Sequence, residues 1–385
     1  MSTILQTDTV ALPGWTCATR RIASPDNPLK LERGGVLEDA SLTYEVFGPK
    51  PPHEAESIVL VCHALTGDSH AARAEHAGEA SADPLGRDPA RRGWWETIVG
   101  PGRAIDTRRH TVVCANVLGG CAGSTGPASV DPATGVRYGP RLPQVTIGDI
   151  VEAQARLLDA LGVSRPITVL GGSIGGFQAL EWALRFPERV RAAGVVAAGT
   201  RLDAQGIAFN EVGRAAILAD PKFRGGDYPP TDPPTDGLGV ARRLAHLTYR
   251  SPGSLDRRFG RDRTTNGDRY LVERYLDERA ERFVRRFDAN SYILLTRAMD
   301  AYDASEGRSL CEALRRFKGD LLTVGFSSDW LFPPHLSLEL SHLAKAAGVR
   351  TRAELVHSGD GHDAFLLPSD HLSRIVGDFV KGWTR

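Results

Sequence analysis

Short, uninterrupted apolar runs recur through the first half of the chain, separated by stretches with helical spacing. Residues 57–62 (SIVLVC), 110–115 (HTVVCA), 167–170 (ITVL) and 194–197 (GVVA) show no polar alternation. Strands of this kind are covered on both faces, so the pattern from Leu31 to Thr200 predicts a mostly parallel sheet with helices on each side. Between roughly Arg201 and Ser309 the strand signal stops. Helical periodicity replaces it, as at Val272, Leu276, Phe283 and Phe287 with charged residues between them. Apolar runs resume at 321–326 and 353–356, and a last helix is expected from about His371 to Lys381. The reading is an α/β core made of residues 1–200 and 310–385, interrupted by an all-helical cap at 201–309. A chain of 385 residues is longer than one core usually requires, which suits such an insertion.

Charge narrows the class of partner. Lys+Arg and Asp+Glu are equal at 47 each, so nothing draws the chain toward nucleic acid or anionic lipid. The densest cluster, residues 250–288, mixes 11 Arg with 8 acidic residues and reads as a solvated helix face. A small-molecule partner is therefore expected. Residues 1–30 lack a basic stretch followed by an apolar run, and no long uncharged apolar segment occurs, so a soluble, cytoplasmic protein without a membrane partner is expected. Cys17, Cys62, Cys114, Cys121 and Cys311 are odd in number and scattered, and read as reduced core thiols, with neither disulfides nor a metal site. Only the Pro-rich stretch 228–234 looks biased in composition, and it reads as a surface loop.

The richest chemistry lies at residues 167–182 (ITVLGGSIGGFQALEW). Gly171, Ser173 and Gly175 fit G-x-S-x-G, after an apolar strand and at the start of a helix. A strand that reverses sharply into a helix strains the serine's backbone, and neighbours without Cβ are needed beside it. The helix N-terminus also points N–H groups at negative charge forming near the hydroxyl. This is the nucleophile turn of the α/β-hydrolase fold, a mostly parallel sheet flanked by helices, and it implies a covalent acyl intermediate on Ser173.

Serine is a weak nucleophile and needs a base and an orienting acid, which in this fold follow in that order: serine, acid, histidine. Asp329 lies just past the strand at 321–326, at the carboxyl end where open α/β sheets keep functional loops. Its rival, Asp320, lies on the opposite edge, and the competing role for Asp329 is an Asx turn. His362, in a glycine-flanked loop after the last strand, is preferred as base over His357 and His335. The oxyanion hole should take the N–H of Ile174 and a second N–H from residues 63–67, with Leu65 as the donor. His63 is given no chemistry.

Several motifs together resemble the homoserine O-acyltransferases of methionine biosynthesis. They are CHALTGDSH (62–70), GWW (93–95), IVGPG (98–102), NVLGGCAGSTGP (116–127), the serine turn, RRFDANSY (285–292), GFSSDWLFP (325–333) and GHDAF (361–365), and they span nearly the whole chain. The likeness is greater to the acetyl-transferring branch than to the serine-succinylating relatives. It implies acyl transfer from acyl-CoA, acetyl-CoA in particular, to the hydroxyl of L-homoserine, with succinyl transfer to homoserine and acyl transfer to serine as the alternatives. Acyl-CoA would be a co-substrate, with no permanently bound cofactor. The resemblance also assigns Arg242, within GLGVARRLAH (237–246), to the substrate carboxylate, a role that suits a planar guanidinium. Asp363 is assigned to the substrate ammonium group, and the cap to a homodimer interface. Trp94 and Trp95 read as packing residues. The chain departs from the family at 358–360 (SGD), where relatives commonly carry Ser-Pro-Tyr. The same triad would serve an esterase, so hydrolysis is the rival activity.

Overall fold

The computed structural model describes residues 9–74 and 86–382. Nine strands form one sheet: β1 (Thr9–Leu12), β2 (Trp15–Ala23), β3 (Ala40–Phe47), β4 (Ile58–Cys62), β5 (Thr111–Ala115), β6 (Ile167–Gly172), β7 (Val190–Val196), β8 (Asp320–Phe326) and β9 (Arg350–Val356). Their order is β1-β2-β3-β5-β4-β6-β7-β8-β9. From β5 to β9 in that order every neighbouring pair is parallel, whereas the pairs β1–β2, β2–β3 and β3–β5 are antiparallel.

The apolar runs of β4, β5 and β6 come from burial on two faces. In β4, Leu60 and Cys62 belong to one core, whereas Val59 and Val61 belong to the other. The first core is closed by α1 (Ile147–Ala160) and α2 (Ile174–Arg185) and, further along, by α8 (Leu310–Arg316) and α9 (Pro334–Ala346). The second is closed by α10 (Asp370–Lys381) and the segment around Trp95 and Ile98. Along α10, Leu372, Ile375, Val376, Phe379 and Val380 are all buried, the 3-and-4 spacing of a helix with one apolar stripe. On α2, Phe177 and Trp182 are fully buried, each contributing about 2–3 kcal/mol of transfer free energy.

The N-terminal strands β1 to β3 were not expected from the apolar pattern. Their polar content explains this: β3 carries Thr43 and Glu45, both fully buried, inside an otherwise apolar strand. Glu45 is matched by specific donors, the indole of Trp15 at 2.7 Å and Ser69 Oγ at 2.9 Å, with His70 Nδ1 2.7 Å away.

Between β7 and β8 the chain is helical, through α3 (Ala204–Leu218), α4 (Thr235–Tyr249), α5 (Pro252–Phe259), α6 (Leu271–Val284) and α7 (Ala289–Ala301), before α8 returns it to the sheet. Arg201 and Asp303 pair through an isolated β-bridge, so this insertion leaves and re-enters at one place. On α6 the deepest residues are Tyr275, Ala280 and Phe283, while Val272 and Leu276 are only partly covered. Cys17, Cys62 and Cys114 are buried, but Cys121 and Cys311 are partly exposed, so the five cysteines are not all core thiols. No described helix is long and apolar enough to cross a membrane, and no group of metal-binding side chains occurs among the described residues.

Candidate active site

The predicted triad residues and Leu65 lie at the carboxyl ends of the parallel strands, whereas Arg242 lies on α4. Ser173 follows β6 directly, Leu65 lies beyond β4, Asp329 beyond β8 and His362 beyond β9. Ser173 has φ 61° and ψ −129°, a conformation costly for a residue with a side chain. Its neighbours show what holds it there. A Cβ on Gly175 would sit 2.2 Å from the Cys62 carbonyl oxygen, and one on Gly171 would sit 2.2 Å from that of Gly175. The strand-to-helix turn is therefore packed to backbone contact on both sides. Ser173 N–H is donated to the Val196 carbonyl at 3.0 Å, which ties the turn to the next strand.

Asp329 Oδ2 lies 2.7 Å from His362 Nδ1, and both side chains are buried. Its other oxygen accepts the backbone N–H groups of Leu331 at 3.0 Å and Phe332 at 2.9 Å. The Asx turn weighed as the competing role is thus present and compatible with the pair: the turn fixes the carboxylate that faces the imidazole. Phe332 then stacks on the His362 ring at 5.2 Å, with Phe365 edge-on at 5.5 Å. Nδ1 is engaged with the carboxylate and Nε2 has no hydrogen-bond partner among the described residues, Ser173 included. Such a bond commonly tightens only when substrate is bound.

Leu65 and Ile174 each have a backbone N–H with no acceptor among the described residues. The loop carrying Leu65 is braced by His63, whose Nδ1 lies 2.8 Å from the Ala64 carbonyl while Nε2 accepts the Val117 N–H at 3.1 Å. That pattern requires a neutral imidazole, and burial pushes the His63 pKa down in the same direction. Gln178 reaches the carbonyls of both Ile174 (3.2 Å) and His63 (3.5 Å), and is itself held by Gln154 at 2.7 Å. This glutamine relay went unnoticed in the sequence. Its signal would have been two amides facing the core on α1 and α2.

Trp94 and Trp95 pin the surrounding loops, the former donating to the Asp68 carbonyl and the latter to that of Phe365, each at 2.9 Å. At 358–360, where the sequence departs from its relatives, Ser358 and Ser327 exchange hydrogen bonds at 3.1 and 3.2 Å. Asp360 N–H is donated to Ser358 Oγ at 3.2 Å. These contacts hold the turn before His362.

The side of the site formed by α4 and the segment after α6 is cationic. Arg242, on α4, lies over the rings of Phe283 (4.6 Å) and Tyr249 (5.6 Å) and donates to Thr66 Oγ1 at 3.1 Å. No described carboxylate pairs with it. Arg286 donates to the Thr66 carbonyl at 3.0 Å, so two cap arginines meet the residue after Leu65. Tyr249 lies 6.1 Å from the His362 ring. Asp363 faces Arg250 Nε at 3.4 Å, and burial raises its pKa against the pull of Arg250, His362 and Arg242. A cavity of about 340 Å³ adjoins Leu65, Val117, Phe287 and Leu295, beside Arg286. The sequence had not singled out Thr66, Tyr249, Arg250 or Arg286 for the site.

A serine on a strained strand-to-helix turn and an aspartate–histidine pair at the carboxyl ends of a mostly parallel sheet define the class of α/β-hydrolase enzymes. Comparison agrees: the family model for the alpha/beta hydrolase fold matches residues 57–368. The chain is 50% identical to a homoserine O-acetyltransferase from Symbiobacterium thermophilum over 94% of each chain. It is 46% identical to one from Caulobacter vibrioides, also over 94% of each. Among solved structures, a homoserine O-acetyltransferase from Staphylococcus aureus is 29% identical, with a TM-score of 0.74 and coverage of 96% of this chain and 97% of that one. A solved esterase is 26% identical, with a TM-score of 0.82 over 94% of this chain and 100% of that one. Within the α/β-hydrolase class the chain belongs to the homoserine O-acetyltransferase family, and it is an acyltransferase.

Proposed function

We propose that the chain transfers an acetyl group from acetyl-CoA to L-homoserine in two half-reactions at one serine, giving O-acetyl-L-homoserine for methionine biosynthesis in the cytoplasm. Ser173 Oγ attacks the thioester carbonyl while His362 Nε2 takes its proton. The oxyanion sits against the N–H groups of Leu65 and Ile174. Coenzyme A leaves as the thiol, taking that proton from His362. The homoserine hydroxyl then gives its proton to His362 and attacks the acyl-Ser173 carbonyl, and collapse returns the proton to Ser173. Asp329 holds the imidazole in the tautomer with Nδ1–H and stabilises the imidazolium formed in each half.

One observation carries the choice of an amino-acid acceptor. Arg242 is a guanidinium with no carboxylate partner among the described residues, stacked on Phe283 and bonded to Thr66, while Asp363, next to the base, supplies the opposite charge. A carboxylate-and-ammonium substrate satisfies both. The unpaired Nε2 of His362 supports its role as base. We further assign residues 201–309 as a cap domain over a core of 1–200 and 310–385, and the cap as a homodimer interface. Val212, Leu218, Val240 and Leu247, all in cap helices, are exposed and suit such a contact.

The likeness to a solved esterase keeps hydrolysis as the rival. Coenzyme A release from acetyl-CoA should accelerate strongly when homoserine is added; equal rates with and without it would sink the transferase reading. Mass spectrometry of Ser173 after exposure to acetyl-CoA or succinyl-CoA without acceptor identifies the donor.

A further inference from the structure

Asp363 has a partner before any substrate arrives. Arg250, the residue after α4, places Nε 3.4 Å from Asp363 Oδ2, and the two side chains are 15% and 17% exposed. The approach makes no hydrogen bond: Arg250 Nε is buried without a hydrogen-bond partner. The backbone around the pair is fixed from several directions. Trp330 Nε1 donates to the Arg250 carbonyl at 2.9 Å, and Ser251 Oγ donates to the Gly359 carbonyl. Gly361, at φ 75°, lies against this segment so closely that a Cβ there would sit 2.5 Å from Ser251 N. The turn bearing His362 and Asp363 is therefore seated on the end of α4.

We propose that Arg250 is a positioning residue for the acceptor: its guanidinium keeps the Asp363 carboxylate ionised and aimed, at a distance that leaves room for an ammonium group to become the closer cation. The inference rests on the reading of Asp363 as the ammonium site and deepens it. A carboxylate this enclosed is driven toward its neutral form, which cannot accept a full charge-assisted bond from an ammonium group. A fully hydrogen-bonded Arg–Asp pair would have the opposite fault, because the ammonium would have to break it. A loose pair avoids both. The charged and titratable groups facing Asp363 are Arg250, Arg242 and Tyr249 from the segment 242–250, Arg279 from α6 and His362 from its own turn. Of these, Arg250, at 3.4 Å, pulls hardest against the effect of burial.

The test compares two acceptors on the full-length enzyme: L-homoserine and 4-hydroxybutanoate, which is homoserine without its amino group. Arg250→Met should raise KM for homoserine about tenfold, a modest loss suited to a loose, partly shielded pair. KM for 4-hydroxybutanoate should stay within about twofold, as should Ser173 acylation from acetyl-CoA measured without acceptor. Arg250→Lys should recover most of the homoserine KM. In an Asp363→Asn background, Arg250→Met should add at most about twofold, because the two residues act through one contact. Equal losses for both acceptors, or acylation falling in step, would show Arg250 to be only a brace for the His362 turn and overturn the proposal. An unchanged homoserine KM would overturn it as well. Wild-type enzyme that ignored homoserine would instead remove the acceptor reading, and this role with it.

Discussion

Arg242→Lys preserves charge and approximate length, so it isolates what the guanidinium's shape contributes. In the structure that side chain is held by three contacts: the Phe283 face at 4.6 Å, the Tyr249 face at 5.6 Å and Thr66 Oγ1 at 3.1 Å. A lysine ammonium is a point charge that cannot offer a carboxylate two parallel N–H groups, and one charge-assisted bond is worth about 1.5–3 kcal/mol. Loss of the planar stacking adds about 0.5–1 kcal/mol. Together these give roughly 2–4 kcal/mol, or about 30-fold to 1000-fold in kcat/KM for homoserine, at about 1.4 kcal/mol per factor of ten. The assay is steady-state transfer at saturating acetyl-CoA, run beside the single-turnover rate of Ser173 acylation without acceptor. Acylation should stay within about threefold, because Arg242 has no part in the first half-reaction. A homoserine kcat/KM that changed by less than about fivefold would refute the carboxylate role. So would acylation that fell as far as transfer, since Arg242 would then be supporting the loop at Thr66 and Leu65.

Three further outcomes follow from the same geometry. Ser173→Ala should lower transfer by several orders of magnitude and abolish the mass shift produced by acetyl-CoA; a retained shift at another residue would displace Ser173 from the mechanism. Asp329→Asn keeps an acceptor for the Leu331 and Phe332 N–H groups but loses the charge and favours the wrong imidazole tautomer, so kcat should drop by about 10⁴, read by the same transfer assay, with folding followed by circular dichroism. Partial burial pushes the Asp363 carboxyl up from its ordinary value, and only its ionised form pairs with ammonium. On acidification kcat/KM for homoserine should therefore fall before that for 4-hydroxybutanoate; since His362 serves both acceptors, parallel profiles would remove Asp363 from the ammonium site.

The sheet's parallel half was legible because burial on two faces leaves runs with few polar residues, as in IVLVC of β4 and TVVCA of β5. The antiparallel β2 and β3 were not, because their pattern includes arginines, threonines and the buried Glu45, whose hydrogen-bonding partners Trp15, Ser69 and His70 lie 24 to 30 residues away in sequence. The site shows the same division. Gly171 and Gly175 announce a turn through a local backbone requirement, and that requirement is visible in five residues of sequence. Gln154 and Gln178, by contrast, matter only because two helices bring them together under the oxyanion loop. Thr66, Arg286 and Arg250 likewise acquire meaning from the cap's return onto the core, which no local pattern encodes.

In the proposed reaction the serine turn, the Asp329–His362 pair and the N–H groups of Leu65 and Ile174 would serve an acyl carbonyl, and they say nothing about what removes the acyl group afterwards. That part of the architecture lies within a fold that an esterase shares. The distinction has to come from the other wall. There α4 contributes Arg242 and Tyr249, followed by Arg250, and the joint after α6 contributes Arg286, while Asp363 supplies the opposing charge from the catalytic turn itself. Thr66 connects the two walls, since it follows Leu65, the proposed oxyanion donor, and accepts from both Arg242 and Arg286. An acceptor held by Arg242 is therefore referenced, through one residue, to the frame that holds the acyl carbonyl. Positional registration of this kind favours a bound hydroxyl over a diffusing water, because the reacting oxygen arrives already oriented. Thr66→Val, which keeps volume and removes the hydroxyl, should shift partitioning of acyl-Ser173 toward water. Measured as the ratio of O-acetylhomoserine formed to coenzyme A released, an unchanged ratio would mean that the two walls act independently.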